Sequence, residues 1–274
     1  MKNKFILSLI LGILFTNSVC AQADKISSEY LKNKKHFSIL NPFVEKIAEK
    51  SIKKSLKKST GENFAIRFDG YTLYSMKKGV FKNLEIEGDN FQINGIDVKY
   101  LKIKTLSDYN KIDYTKKPIV INTDMVYEYE LQLTENSINQ ALDNKKYKDT
   151  LDKINNLAYP LFVIKNVDVQ IKNNKLVILI SYNFPISPRK NDKRIKITTG
   201  LKLDRNKIVA SDVDFDSSYG ALPVEKVTNL INLLDPLTFT LDLMNTKKCN
   251  SRIEKVQIID NIIKINGKIY VKGE

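Results

Sequence analysis

With 274 residues, a formal charge of +14, one histidine and two cysteines, the chain excludes several kinds of chemistry at the outset. A single histidine, His36, cannot build a histidine-ligated metal centre and stands far in sequence from any candidate nucleophile. The lysine excess attracts anions, and outside the cytoplasm these are lipid head groups and envelope polymers rather than nucleic acid.

Lys2 and Lys4 precede an apolar run from Phe5 to about Thr16, and small residues follow at Val19 and Ala21. This is the order of a secretory signal peptide, so residues 1–21 are expected to leave by cleavage after Ala21. The run falls short of the roughly 20 apolar residues that span a bilayer. Cys20 follows Asn17, Ser18 and Val19, which do not form the motif of a lipidated cysteine. Its removal leaves Cys249 as the one thiol, and an internal disulfide is excluded. The expected location is extracytoplasmic, in the periplasm or cell envelope, with a flexible polar segment over 22–40.

Asn41 and Pro42 then open a helix over 42–58, the first as N-cap and the second at the first helical position. Val44, Ile47, Ala48, Ile52 and Leu56 recur at helical spacing and are expected to face inward. Lys46, Lys50, Lys53, Lys54, Lys57 and Lys58, with Glu45 and Glu49, fill the other face. Those lysines are candidates for attracting head groups or an anionic membrane surface.

From Phe64 the apolar period changes to two. Phe64, Ile66 and Phe68 give way to Tyr71 and Leu73, with Gly70 as a candidate bulge within one strand. Strands follow over 84–93 and 96–106, with Asp89 and Asn90 read as a hairpin turn and a change of phase between Val98 and Leu101. Residues 119–133 read as one long strand that sets Tyr127, Tyr129 and Leu131 on one face and Glu128, Glu130 and Gln132 on the other. Thr134 caps a short helix carrying Ile138, Ala141 and Leu142, and a second helix over 146–157 ends at Pro160.

The clearest pattern is the hairpin over 160–184. Val167, Val169 and Ile171 alternate with polar residues, Asn173 and Asn174 form the turn, and Leu176, Ile178 and Ile180 return. Arg205 and Asn206 turn a second hairpin, with Val209, Val213 and Phe215 on its return strand. Asp260 and Asn261 turn a third over 256–271. Between these lie a helix over 223–234, a strand over 237–243 and a loop over 245–252 holding Cys249. Asp212, Asp214 and Asp216 superficially suggest a calcium loop, but Ser217 and Pro223 stand where that loop needs Gly and Glu, so they read as a strand's solvent face.

The fold class expected is α+β: a large curved antiparallel β-sheet of repeated hairpins wrapped on a few amphipathic helices, in one domain over 41–274 without a linker. Few and short helices leave apolar strand surface to cover. An apolar groove is therefore expected, its wall drawn from Tyr127, Tyr129, Leu131, Val167, Val169, Ile178, Ile180, Val213 and Phe215, and its roof from Ile47, Ile52, Leu56, Leu230 and Leu234. No Gly-rich phosphate loop or nucleophile–base pair is found, so neither an enzyme nor a cofactor is expected.

The order of elements carries a resemblance. The basic helix leads into GYTLYSMKKGVFKNLEIEGDNF; LQLTENSINQAL joins strand to helix; NVDVQIKNNKLVI and GLKLDRNKIVASDVDF are successive hairpins; LPVEKVTNLINLLDP and KVQIIDNIIKINGKIYV close the chain. Over about residues 42–272 this resembles the LmeA-like family of bacterial phospholipid-binding proteins. The resemblance implies a TULIP-like (tubular-lipid-binding) sheet holding phospholipid in an apolar groove, and a part in envelope lipid maintenance or lipid shuttling. It supplies no catalytic residues. The alternative is a non-enzymatic envelope structural or interaction module with a fully packed core and no lipid cargo, which the lack of an apolar cavity above about 300 Å³ would favour.

Overall fold

The structure, a computed structural model, describes residues 41–60, 62–93, 95–113, 120–159, 163–185, 193–205, 207–217 and 249–273. In chain order they form α1 (Asn41–Thr60), β1 (Ala65–Asp69), α2 (Leu73–Lys77), β2 (Val80–Phe81), β3 (Asn83–Ile93), β4 (Ile96–Thr105), β5 (Asn110–Asp113), β6 (Val120–Ile121) and β7 (Met125–Leu133). There follow α3 (Glu135–Leu142), α4 (Lys145–Ala158), β8 (Val163–Lys172), β9 (Lys175–Asn183), β10 (Lys193–Asp204), β11 (Lys207–Ser217), β12 (Cys249–Ile259) and β13 (Ile262–Val271). The expected helix over 223–234 and strand over 237–243 lie outside the described residues.

Turn chemistry sets the hairpin registers. Asn173 and Asn174 take φ of 52° and 57°, and Asp260 and Asn261 take 54° and 57°. Positive φ at both central positions gives the turn whose twist matches that of the strands it joins. Asp89 and Asn90 do not turn the chain: they lie within β3, and the reversal falls after Ile93, where Gly95 has φ 80°. Asn90, at φ 49°, instead marks a kink. Buried positions change phase there, from Ile86 and Gly88 to Phe91 and Ile93, while β4 changes phase from Val98 to Leu101 on the opposite side of the ladder. Because both strands slip at one level, the register survives and the apolar side chains stay on one face.

Antiparallel pairing builds a six-stranded sheet in the order β1-β3-β4-β7-β13-β12, a four-stranded sheet β11-β10-β9-β8 and a small sheet β2-β5-β6. The single large sheet expected is thus divided. On the six-stranded sheet one face is ionic: Glu85 opposes Lys104, which opposes Glu128, which opposes Lys268, and Glu87 opposes Lys102, which opposes Glu130. Opposite charges directly across a ladder suit a solvated face. The other face carries Leu101, Leu131, Ile265 and Val256 in one cross-strand row and joins the inner face of the four-stranded sheet in one contiguous core.

Three further expectations change. β1 ends at Asp69, and Gly70 leads into α2 rather than bulging a strand, so Tyr71 and Leu73 are off the sheet. Thr72 caps α2 as Thr134 caps α3, each accepting from the amide of a serine three residues on, Ser75 or Ser137. The strand expected over 119–133 breaks after Ile121, because β6 pairs in the small sheet and β7 in the large one. Cys249 begins β12 opposite Val271 rather than lying in a loop.

Side chains cover two sheet edges. Glu49 Oε1 accepts from Phe68 N (3.1 Å) and Glu45 Oε1 from Gly70 N (2.9 Å), so α1 occupies the free side of β1. On β8, Asn139 accepts from Val169 N (2.9 Å) and donates to Val169 O (2.8 Å), Asn155 does the same at Ile164 (2.8 and 2.9 Å), and Glu135 accepts from Ile171 N (2.8 Å). These groups satisfy backbone that would otherwise template another strand. Gln140 also accepts from Asp97 N on β4 (2.6 Å), so α3 ties one large sheet to the other.

Candidate functional site

Most of the expected groove residues have protein neighbours. Ile52 and Leu56 from α1, Tyr127, Tyr129 and Leu131 from β7, Val167 and Val169 from β8, and Ile178 and Ile180 from β9 are buried in the same core cluster. Their apolar character is accounted for by contact with one another. Ile47 stands apart: it is 51% exposed and faces away from the core that it was expected to roof. Leu230 and Leu234 lie outside the described residues.

Val213 and Phe215 are placed differently. They are half-buried on β11, as are Ala210 on the same strand and Leu201 and Leu203 on β10, with Leu201 opposite Ala210 and Phe215 opposite Ile197. On the same sheet face Val169 is fully buried and Ile197 likewise. The wall is therefore dry on β8 and β9, at Ile195 and Ile197 of β10 and at Ile208 of β11, and its wetter apolar positions are Leu201 and Leu203 at the turn end of β10 and Ala210, Val213 and Phe215 on β11. A bulge creates this strip. Thr198 opposes Asp214 while Gly200 opposes Ser211, so β11 carries an extra residue, and Asp212 takes φ 49° to accommodate it. The bulge moves the inner set from Ile208 and Ala210 to Val213 and Phe215, which puts Val209 on the other face. Simple alternation missed this because the only sign of the bulge is an Asp that accepts the left-handed region. Asp212, Asp214 and Asp216 are exposed on β11 as expected, and among the described residues no group of three His, Cys, Asp or Glu gathers as metal ligands.

A 410 Å³ open groove lies between α4 and β8, its rim carrying Asp143, Lys148, Asp152 and Asp168. Lys148 Nζ is 3.1 Å from Asp143 Oδ1 on the helical side of it. Such a rim suits water rather than acyl chains.

The lysines expected to meet anions are on α1, and Lys46, Lys50, Lys53, Lys54 and Lys57 are exposed. The side chain of Lys58 lies outside the described residues. Glu45 and Glu49, expected among them, are instead half-buried against β1. Sequence periodicity does not reveal this, because a carboxylate that accepts sheet-edge amides looks the same in sequence as a solvated one.

Tyr129 offers a pH test of the core. Burial, with the Glu254 carboxylate nearby, pushes its phenol from 10.0 up to about 12. Folding thus favours the protonated phenol, so its contribution is intact below pH 10.0 and is lost as pH rises through about 12. Urea midpoints should fall across that interval, and Tyr129→Phe should flatten part of the fall. Comparison with known proteins finds no match to a family model, a curated protein or a solved structure.

Proposed function

We propose that the protein is a non-enzymatic phospholipid-binding or lipid-shuttling protein of the cell envelope, working outside the cytoplasm and built on a TULIP-like plan. The observation that carries this reading is the set of Leu201, Leu203, Ala210, Val213 and Phe215, half-buried on a wall that is otherwise dry. An acyl chain laid along it would remove apolar area from water at about 25 cal/mol per Å². The resemblance to the LmeA-like family supports the same reading, as does, for an anionic head group, the net charge of +12 that remains of the chain's +14 once Lys2 and Lys4 leave with the signal peptide. A second reading, an envelope structural or interaction module, is favoured by the dense packing of the wall residues on β7, β8 and β9.

Native mass spectrometry of the protein recovered from its source cells separates the two. The expected result is a population heavier by one phospholipid, with the lipid recovered in organic extract, and its loss in the Leu203→Gln/Phe215→Gln variant. A lipid-free mass from folded protein, with a clean extract, rejects the proposal and leaves the interaction module.

A further inference from the structure

Helix α1 is held to the sheet by its acidic side chains as well as by apolar contact, and this decides what it shows to the outside. Successive residues advance by about 100° around a helix. On that projection Glu45, Glu49, Ile52 and Leu56 share one arc; the last two are buried and the glutamates accept the amides of Gly70 and Phe68. The opposite arc, about 80° wide, holds Phe43, Ile47, Lys50, Lys54 and Lys57, with Lys46 and Lys53 beside it. Phe43 and Ile47 are 66% and 51% exposed, and these lysines are all exposed.

Both acidic residues of α1 are thus turned toward β1, and nothing acidic on the helix offsets its lysines. The contrast with the outer face of the six-stranded sheet is plain, since there Lys102, Lys104 and Lys268 each stand opposite glutamates. Two large apolar side chains one turn apart, among lysines with no acidic residue on their own arc of the helix, match the chemistry of a lipid interface: apolar groups enter the acyl boundary while ammonium groups stay at the phosphates. Among the described residues no helix is long and apolar enough to cross a membrane, so α1 would lie along the surface.

We propose that α1 docks the protein on an anionic lipid bilayer, with Phe43 and Ile47 inserted and Lys50, Lys54 and Lys57 on the head groups. The apolar pair lies in the first half of the helix and the lysine row in the second, so the Asn41 end goes deeper. The docking face is separate from the β10–β11 strip, and a bilayer is recognised here by α1 whether or not a lipid is carried.

Co-sedimentation tests this, using the protein in its cell-processed form and phosphatidylcholine vesicles with or without phosphatidylglycerol. Binding is expected only to the anionic vesicles and should weaken as salt rises. Lys50→Gln/Lys54→Gln/Lys57→Gln should weaken it about a hundredfold, as near-surface lysines on an anionic leaflet contribute about tenfold or less each. Phe43→Ser/Ile47→Ser should weaken it about tenfold while keeping the salt dependence. All these side chains are exposed, so thermal melting should be unchanged and a loss of binding is not a loss of fold. Three results overturn the proposal: equal binding by all variants, no binding to anionic vesicles by folded protein, or a dimer in sedimentation velocity that Phe43→Ser/Ile47→Ser dissolves, which would make a second copy the occupant. Native mass spectrometry of the same variants reports the carried lipid independently, so failure of docking and failure of carriage are told apart.

Discussion

The Gly267→Val variant is expected to lose about 3–4 kcal/mol of stability, read as a lowered urea midpoint with an unchanged slope. Gly267 lies on β13 between Tyr129 of β7 and Ile253 of β12, at the point where the β12 register shifts before Lys255. A Cβ here would run into the Arg252 carbonyl oxygen and stand 2.8 Å from the Tyr129 hydroxyl and 2.9 Å from its ring. Neither neighbour has room to give way. The carbonyl belongs to the paired strand backbone, and the Tyr129 ring is packed in the core. Gly95→Ala is the control. It has nothing within 4 Å of the added carbon, so only its φ of 80° counts, and about 1 kcal/mol is expected. Equal effects at the two positions would mean that the sheet relaxes around position 267.

Asn139→Ala is expected to cost about 2–3 kcal/mol, because it strips both the donor and the acceptor that Val169 meets on its edge side. Val169 is fully buried, so water does not readily replace the lost amide. The loss should also be local. Hydrogen exchange at the Val169 amide should quicken more than at Ile178, its partner on β9. Asn139→Asp retains the acceptor but sets a carboxylate oxygen against the Val169 carbonyl, so it should not restore stability. A change below about 0.5 kcal/mol would show that this edge needs no cover.

What could be read in the chain follows from how local each cause is. The α+β class, the positive-φ turns at Asn173–Asn174 and Asp260–Asn261, the cap at Thr134 and the inward set of α3 depend on neighbours a few residues away, and all are found. Asp89 and Asn90 misled because the same preference for positive φ serves a kink as well as a turn. The short helix α2 escaped notice because five residues carry little periodicity, although its Thr72 and Ser75 repeat the cap of α3.

Composition and periodicity alone determined that this chain would pair apolar strand faces through tight turns and carry a lysine-rich helix, since side-chain alternation and turn preferences are properties of short segments. Tertiary structure decided the division into two large sheets, the burial of Tyr127, Val169 and Ile180 against one another, and the direction in which Ile47, Glu45 and Glu49 point. The physical reason is that strand edges have unmet amides whose partners lie far along the chain. Glu49 turns inward because Phe68, 19 residues on, offers it a backbone N–H, and the rotation that this imposes on α1 brings Ile47 and the lysines to the surface.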